Sequence, residues 1–179
     1  MRKILFFSLC CFCFSSCIPL KIAPNINDYK VSRGSKFSKG LSDRSMFLFE
    51  DPKEAGEFYA YVNNKFQLDN INVFDDVPFK VQDEQYFFAF YEIEINDKVL
   101  NLFPFLIYAA LDAEDGAYEG GDEIVKRENW YIAIEVYSDI EKDCLEEDSL
   151  SREVVLQYLR TIKEEYLSTD NYNELVYKN

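Results

Sequence analysis

Glu92 and Glu94 stand two residues apart in the stretch "DEQYFFAFYEIEIND". In an extended strand, alternation puts both carboxylates on one face, about 6.5 to 7 Å apart. That is near the separation at which an inverting glycosidase sets a general acid and a general base around its water. The same spacing occurs on any solvated strand, so the pair is a catalytic candidate only where its surroundings shift a pKa. A second acidic feature, "DAEDGAYEGGDE", carries Asp112, Glu114, Asp115, Glu119, Asp122 and Glu123. Carboxylates on a flexible loop suit calcium. The spacing is not that of an EF-hand, because Gly116 falls where the fifth-position ligand belongs. Like charges also repel and stay hydrated, so a solvated loop between two strands is the plainer reading.

The rest of the catalytic repertoire is narrow. The chain has no histidine. That removes Ser-His-Asp and Cys-His chemistry, histidine-bound zinc and imidazole pH switching. Of the six glycines only Gly120 and Gly121 are adjacent, and no phosphate-binding or dinucleotide spacing occurs. Cys144 lies in the acidic stretch "KDCLEED". Reactive cysteines prefer electropositive surroundings, so this one reads as structural. Nothing in these patterns calls for a cofactor.

Four of the five cysteines fall within the first 17 residues. Arg2 and Lys3 give a charged start, and Ile4 to Phe14 are apolar but for Ser8. A run of eleven residues is too short to span a bilayer, for which about 20 are needed. A charged start, a short apolar run and small residues before a cut are the pattern of a secretory signal. Cys10, Cys11 and Cys13 serve there as small apolar residues. Cys17 directly follows Ser15 and Ser16, and "FSSC" resembles the lipobox of bacterial lipoproteins. The resemblance implies a diacylglyceryl group on the Cys17 thiol and cleavage before it. Phe14 departs from the pattern, since an aliphatic residue is commoner there. An ordinary secretory cut after Ser16 is the rival, and it would put bulky Phe14 at −3, where a small residue is wanted. With the signal gone, only Cys17 and Cys144 remain. An acylated Cys17 leaves no intramolecular disulfide to form.

From Ile18 to Ser45 there are six basic and two acidic residues, and from Met46 onwards 11 basic and 31 acidic. A basic segment beside a lipid anchor can lie on anionic head groups, at about 1 kcal/mol per basic residue near the surface. It reads equally as a solvated linker. The acidic body is a poor match for nucleic acid, where affinity comes from cations neutralising phosphates. From Cys17 the chain has 163 residues, enough for one domain with a core, and 48% hydrophobic content argues against disorder.

The elements that must position the candidate residues can be read from periodicity. "MFLFE" reads as a short strand. Asp51, Pro52 and Glu54 then predict a capped helix start, with Ala55, Phe58, Tyr59, Val62 and Phe66 as its apolar stripe. "VPFKVQ" adds a short strand. The next strand, "YFFAFYEIEI", is expected to turn Phe87, Ala89, Tyr91, Ile93 and Ile95 inward. A turn at Asn96–Asp97 then predicts a hairpin with "KVLNLFPF", in which Pro104 marks an edge or a bulge. "NWYIAIEVY" forms another strand, with Trp130, Ile132, Ile134 and Val136 inward. A final helix, capped at Ser149 or Ser151, is expected to bury Leu150, Val154, Val155, Tyr158, Leu159, Ile162 and Tyr166, with Lys163 outside. This pattern leaves Tyr86, Phe88, Phe90, Tyr131 and Tyr137 on the outer face. Uncovered, they would make a partner surface. Two amphipathic helices and a long N-terminal segment remain to be placed, and these favour cover.

The predicted fold class is α+β: an antiparallel meander of three to four strands packed with two amphipathic helices. The expected organisation is a signal at residues 1–16, a lipidated basic tether at 17–45 and a single domain at 46–179. "APNI", "FEDPKEAGEFYAYVNNKFQ", "QYFFAFYEIEI", "NWYIAIEV", "DCL" and "YLRTIKEEYLSTDNYNE" resemble a group of uncharacterised small lipoproteins of Bacteroidota. The resemblance implies an envelope lipoprotein and transfers no site. In that group, export to the cell surface goes with acidic residues just after the anchor cysteine. Here no acid precedes Asp28, which implies retention on the periplasmic face of the outer membrane. The expected role is non-catalytic binding or scaffolding, with the membrane and another envelope protein as partners. The alternative is a carboxylate-dependent hydrolase of envelope or imported polysaccharide.

Overall fold

The computed structural model describes residues 17–20, 23–101 and 125–172. They fall into two compact units. The smaller draws on Met1–Pro24 and Ile95–Asn129, the larger on Asn25–Glu94 and Trp130–Asn179. In chain order the elements are β1 (Cys17–Leu20), β2 (Lys30–Arg33), α1 (Gly34–Phe37), β3 (Ser45–Asp51), α2 (Glu57–Phe66), β4 (Val77–Val81), β5 (Glu84–Glu94), β6 (Asp97–Asn101), β7 (Val125–Arg127), β8 (Trp130–Tyr137) and α3 (Arg152–Ser168).

The smaller unit is a three-stranded antiparallel sheet ordered β1-β6-β7, in which Cys17 lies opposite Asn101. Its polar ties include Ala23 N–H donating to Asp97 Oδ1 at 2.8 Å and Ile95 N–H donating to Asn129 O at 2.9 Å. The predicted hairpin between β5 and the strand after Asp97 is therefore corrected. β6 pairs with β1 and β7, while β5 finds its partners in the other sheet.

The larger unit is a five-stranded antiparallel sheet ordered β2-β3-β8-β5-β4. With its helices it is α+β, as expected, with more strands and no simple meander. β5 and β8 pair across the excursion from Ile95 to Asn129. Residues 30–45 do not lie along a tether. β2 is an edge strand paired with β3, and Arg33 Nη1 donates to Asp43 O at 2.7 Å.

Residues directly opposite one another in a ladder share a face. Phe88 faces Val136 and Phe90 faces Ile134, while across β3 Phe47 faces Ile134 and Phe49 faces Ile132. All are buried, and α2 and α3 close over them. Phe58 is central, with ring contacts to Phe90 and Tyr166 at 4.9 Å and to Phe49 at 5.9 Å. The inward set expected for β5 is thus inverted. Both faces carry large apolar residues, so alternation separates them without saying which one meets the helices.

The opposite face presents Met46, Leu48, Ala89, Tyr131, Ala133 and Glu135, all buried. Residues 34–45 cover part of it, with Phe37 edge-on to Tyr131 at 5.4 Å. Gly34 is packed so closely that a Cβ there would lie 2.6 Å from Ser42 O and 2.7 Å from Met46 Sδ.

Two helix expectations are also corrected. The first long helix starts at Glu57, with Gly56 at the N-cap in a left-handed conformation (φ 85°). Asp51 is not its cap. It is buried at the end of β3, where Tyr166 Oη donates to both its oxygens at 3.0 and 2.8 Å and Lys53 N–H donates at 3.0 Å. Burial outweighs these bonds and raises its pKa. In α3, Leu150 is 98% exposed and precedes the helix, whereas Lys163 is buried and pairs with the Asp28 carboxylate. Ser151 holds the N-cap position. Among the described residues no helix is long and apolar enough to cross a membrane.

Candidate functional site

Glu92 and Glu94 share a strand face but not an environment. Glu92 Oε2 accepts the Gly56 N–H at 2.9 Å and Oε1 accepts the Tyr59 N–H at 3.2 Å. Gly56 and Tyr59 are the N-cap and third residue of α2, whose amides have no intrahelical acceptor. The carboxylate therefore does from a neighbouring strand what a capping Ser or Asp does from within the chain, with the helix dipole favouring its charge. Glu94 is exposed at the end of β5. The structure separates the catalytic pair into a helix cap and a solvated side chain.

The aromatic partner surface is corrected as well. Tyr86, Phe88 and Phe90 belong to the core beneath the helices, and Tyr131 is buried on the opposite face. Tyr137 is half-buried. Its hydroxyl bonds Asp76, and the Arg44 guanidinium lies 5.3 Å from its ring centre. Burial first, then the Asp76 carboxylate, pushes the Tyr137 pKa up.

Cys144 is fully buried and unbridged, and its burial fits the structural role that its acidic neighbourhood suggested. Burial, then the nearby Glu141 charge, pushes its thiol up to about 11. It is protonated and inert at neutral pH. The calcium candidates Asp112, Glu114, Asp115, Glu119, Asp122 and Glu123 lie outside the described residues. Among those described, no group of three or more acidic or cysteine side chains is placed to hold a metal.

Two features went unseen in the sequence. The first is Glu135, 6% exposed on the sheet face that residues 34–45 cover. Ser42 Oγ donates to it at 2.6 Å, Tyr91 Oη donates at 3.2 Å and Arg44 Nη1 lies at 3.7 Å. Burial, then Glu135, pushes Tyr91 up to about 12. A hydroxyl against a carboxylate can serve as a nucleophile and its base. Here the Ser42 hydrogen bond and the Arg44 ion pair pin residues 42–44 to the sheet, while Tyr91 holds the carboxylate from the neighbouring strand, which is a structural use.

The second is a groove of about 620 Å³ beside the edge strand β2. Val31, Ser32, Arg33 and Lys36 form one side, and Leu145 to Asp148 with Arg152 form the other. Arg33 Nη2 reaches Glu146 Oε1 at 3.0 Å, a half-exposed pair of the kind that contributes little and opens readily. The Arg152 Nε is buried without a hydrogen-bond partner. The excess of cations between Lys30 and Arg44 was the only sequence signal for this groove, and it read as a tether because no apolar period accompanies it. No family model matches the chain, and no curated protein or solved structure shows significant similarity to it.

Proposed function

We propose that the chain is a lipid-anchored envelope protein with a non-catalytic binding or scaffolding role, held on the periplasmic face of the outer membrane. The observation that carries this reading is the stretch from Met1 to Cys17: a charged start, a short apolar run and "FSSC". The resemblance to small lipoproteins of Bacteroidota supports the same compartment. The absence of acidic residues between Cys17 and Asp28 supports the periplasmic side. The non-catalytic half is supported by how the candidate groups are used. Glu92 caps a helix, Glu135 ties down residues 42–44 and Cys144 is buried. A polysaccharide hydrolase working through Glu92 and Glu94 would have to release Glu92 from two backbone amides. A strongly acidic body, in a chain whose formal net charge is −14, suits protein partners better than nucleic acid.

The test is Cys17→Ala in cells, read by acyl labelling, electrophoretic mobility and fractionation. The variant is expected to lose the acyl group, keep its leader and leave the outer-membrane fraction. If it is labelled, processed and fractionated like the parent, the anchor reading is wrong. Protease added to intact cells should spare the parent until the outer membrane is breached.

A further inference from the structure

The five-stranded sheet has two edges, and they are built differently. At β4 the turn residues Gln82 and Asp83 are both left-handed (φ 51° and 68°) and close a two-residue hairpin of the primed type. Val81 and Glu84 are then a hydrogen-bonded pair, and alternation makes Phe79–Tyr86 and Val77–Phe88 pairs of the same kind. The residues facing outward are Pro78 and Lys80. Proline has no N–H to offer, and lysine is a standard guard of an open edge.

At β2 the register runs Lys30–Leu48, Val31–Phe47, Ser32–Met46 and Arg33–Ser45. The next pair in register is hydrogen-bonded, since Gly34 N–H donates to Arg44 O at 3.0 Å. By alternation Ser32–Met46 and Lys30–Leu48 are hydrogen-bonded too. The Ser45 N–H agrees, because it turns away from β2 and donates to Asp143 Oδ2 at 2.7 Å. Val31 and Arg33 therefore point their N–H and C=O groups to the open side, into the groove. Neither is proline, and apart from the Arg33 C=O, which stands at the first turn of α1, the sheet supplies no partner on this side.

The charges around this edge add a second, independent point. The groove is lined by three cations, Arg33, Lys36 and Arg152, and three acids, Glu146, Glu147 and Asp148. In a chain with a formal charge of −14, it is a balanced patch. Two copies repel one another over most of their surface, but here each brings both signs, so a two-fold contact can set cation against acid.

We infer that β2 is a self-association edge, at which a second copy of this chain adds its own β2 antiparallel about a two-fold axis at Ser32. This register follows from the ladder. The outward residues must pair with each other, so Val31 meets Arg33 of the second copy and Arg33 meets its Val31. Lys30 falls opposite Gly34, which leaves no like charges directly opposed. A register centred on Arg33 would set arginine against arginine, and one centred on Val31 would leave Arg33 outside the strand pairing. The outward backbone groups of Val31 and Arg33 on each copy then enter one ladder, and the two sheets become one of ten strands. This goes beyond the anchor reading and does not depend on it.

Ser32 would lie on the axis in a non-hydrogen-bonded pair. The Cα separation there is about 4.5 Å, within disulfide range. The experiment uses the purified full-length chain with a mild oxidant, and maps linked peptides so that the native cysteines do not confuse the result. Ser32→Cys should give a dimer joined through the two introduced thiols, at least about tenfold more than Lys80→Cys gives at the other edge. Val31→Pro, which removes an outward donor and no β2–β3 bond, should abolish the product. Exposed Lys36→Glu, which leaves the fold alone, should reduce it several-fold. A Ser32→Cys protein with parental melting that links no more than Lys80→Cys would overturn the inference. So would a link that survives Lys36→Glu and Val31→Pro unchanged.

Discussion

The two faces of the five-stranded sheet are closed by different means. On one, Phe47, Phe49, Phe88, Phe90, Ile132 and Ile134 meet α2 and α3, and ring-on-ring contact fills the space. On the other, one-turn α1 and the irregular residues up to Arg44 cover part of a shallower layer that includes a buried carboxylate. The first face is held mainly by area removed from water, which tolerates small shifts in position. The second depends on one close approach at Gly34 and on two hydrogen bonds and an ion pair around Glu135. Hydrophobic burial there is supplemented by groups that must each be in place.

The contrast can be broken by mutation. Phe58→Ala removes the ring at the centre of the helix face and should cost about 3 to 5 kcal/mol, the usual range for a buried aromatic. Denaturant unfolding measures it, and a loss under about 1.5 kcal/mol would mean that the face repacks freely. Gly34→Ala tests the opposite face. Its new methyl meets a backbone oxygen at 2.6 Å as well as the Met46 side chain, and only the side chain can swing aside. Overpacking of this sort costs about 1 to 3 kcal/mol. If Gly34→Ala proves more damaging than Phe58→Ala, the cover formed by residues 34–45 and not the helix layer is the main support of the sheet.

The same contrast explains what could be read in advance. β3, β4, β5 and β8 stood out as apolar runs, and α2 and α3 as stripes at helical spacing, because each element repeats a period against its neighbours. The face assignment of β5 was lost because Phe87, Phe88, Phe90, Tyr91 and Ile93 are apolar on both sides of the strand. Alternation loses its meaning in a strand covered on both faces. The hairpin after Asp97 failed for a related reason. An apolar strand beyond a short turn predicts pairing, but pairing choice belongs to the whole sheet, and β8 took the place beside β5. β2, Gly34 and Ser42 showed no period at all, so their segment read as a tether. Asp51 looked like a helix cap until Tyr166, far along the chain, was seen to occupy its carboxylate. Interactions made across the fold by single polar side chains leave no local pattern.

Glu92 sharpens the comparison with the smallest expected effect. It reaches from the sheet to the start of α2, so it is a polar device serving the helix-bearing side. If its role is to cap, Glu92→Ala should cost about 1 kcal/mol, the typical loss when a capping oxygen is removed. Glu92→Gln keeps one acceptor oxygen where two amides need one each, and it should fall between alanine and the parent. Glu94→Ala, at an exposed position, should stay within about 0.5 kcal/mol. A catalytic pair makes the opposite forecast: loss of polysaccharide cleavage in Glu92→Gln and Glu94→Gln alike, with stability unmoved. Unfolding curves and a reducing-sugar assay on the same set of variants separate the two. Equal stability across the series with activity lost would restore the hydrolase reading. A graded stability loss confined to Glu92, with no activity to lose, fits two oxygens already bonded to the Gly56 and Tyr59 amides.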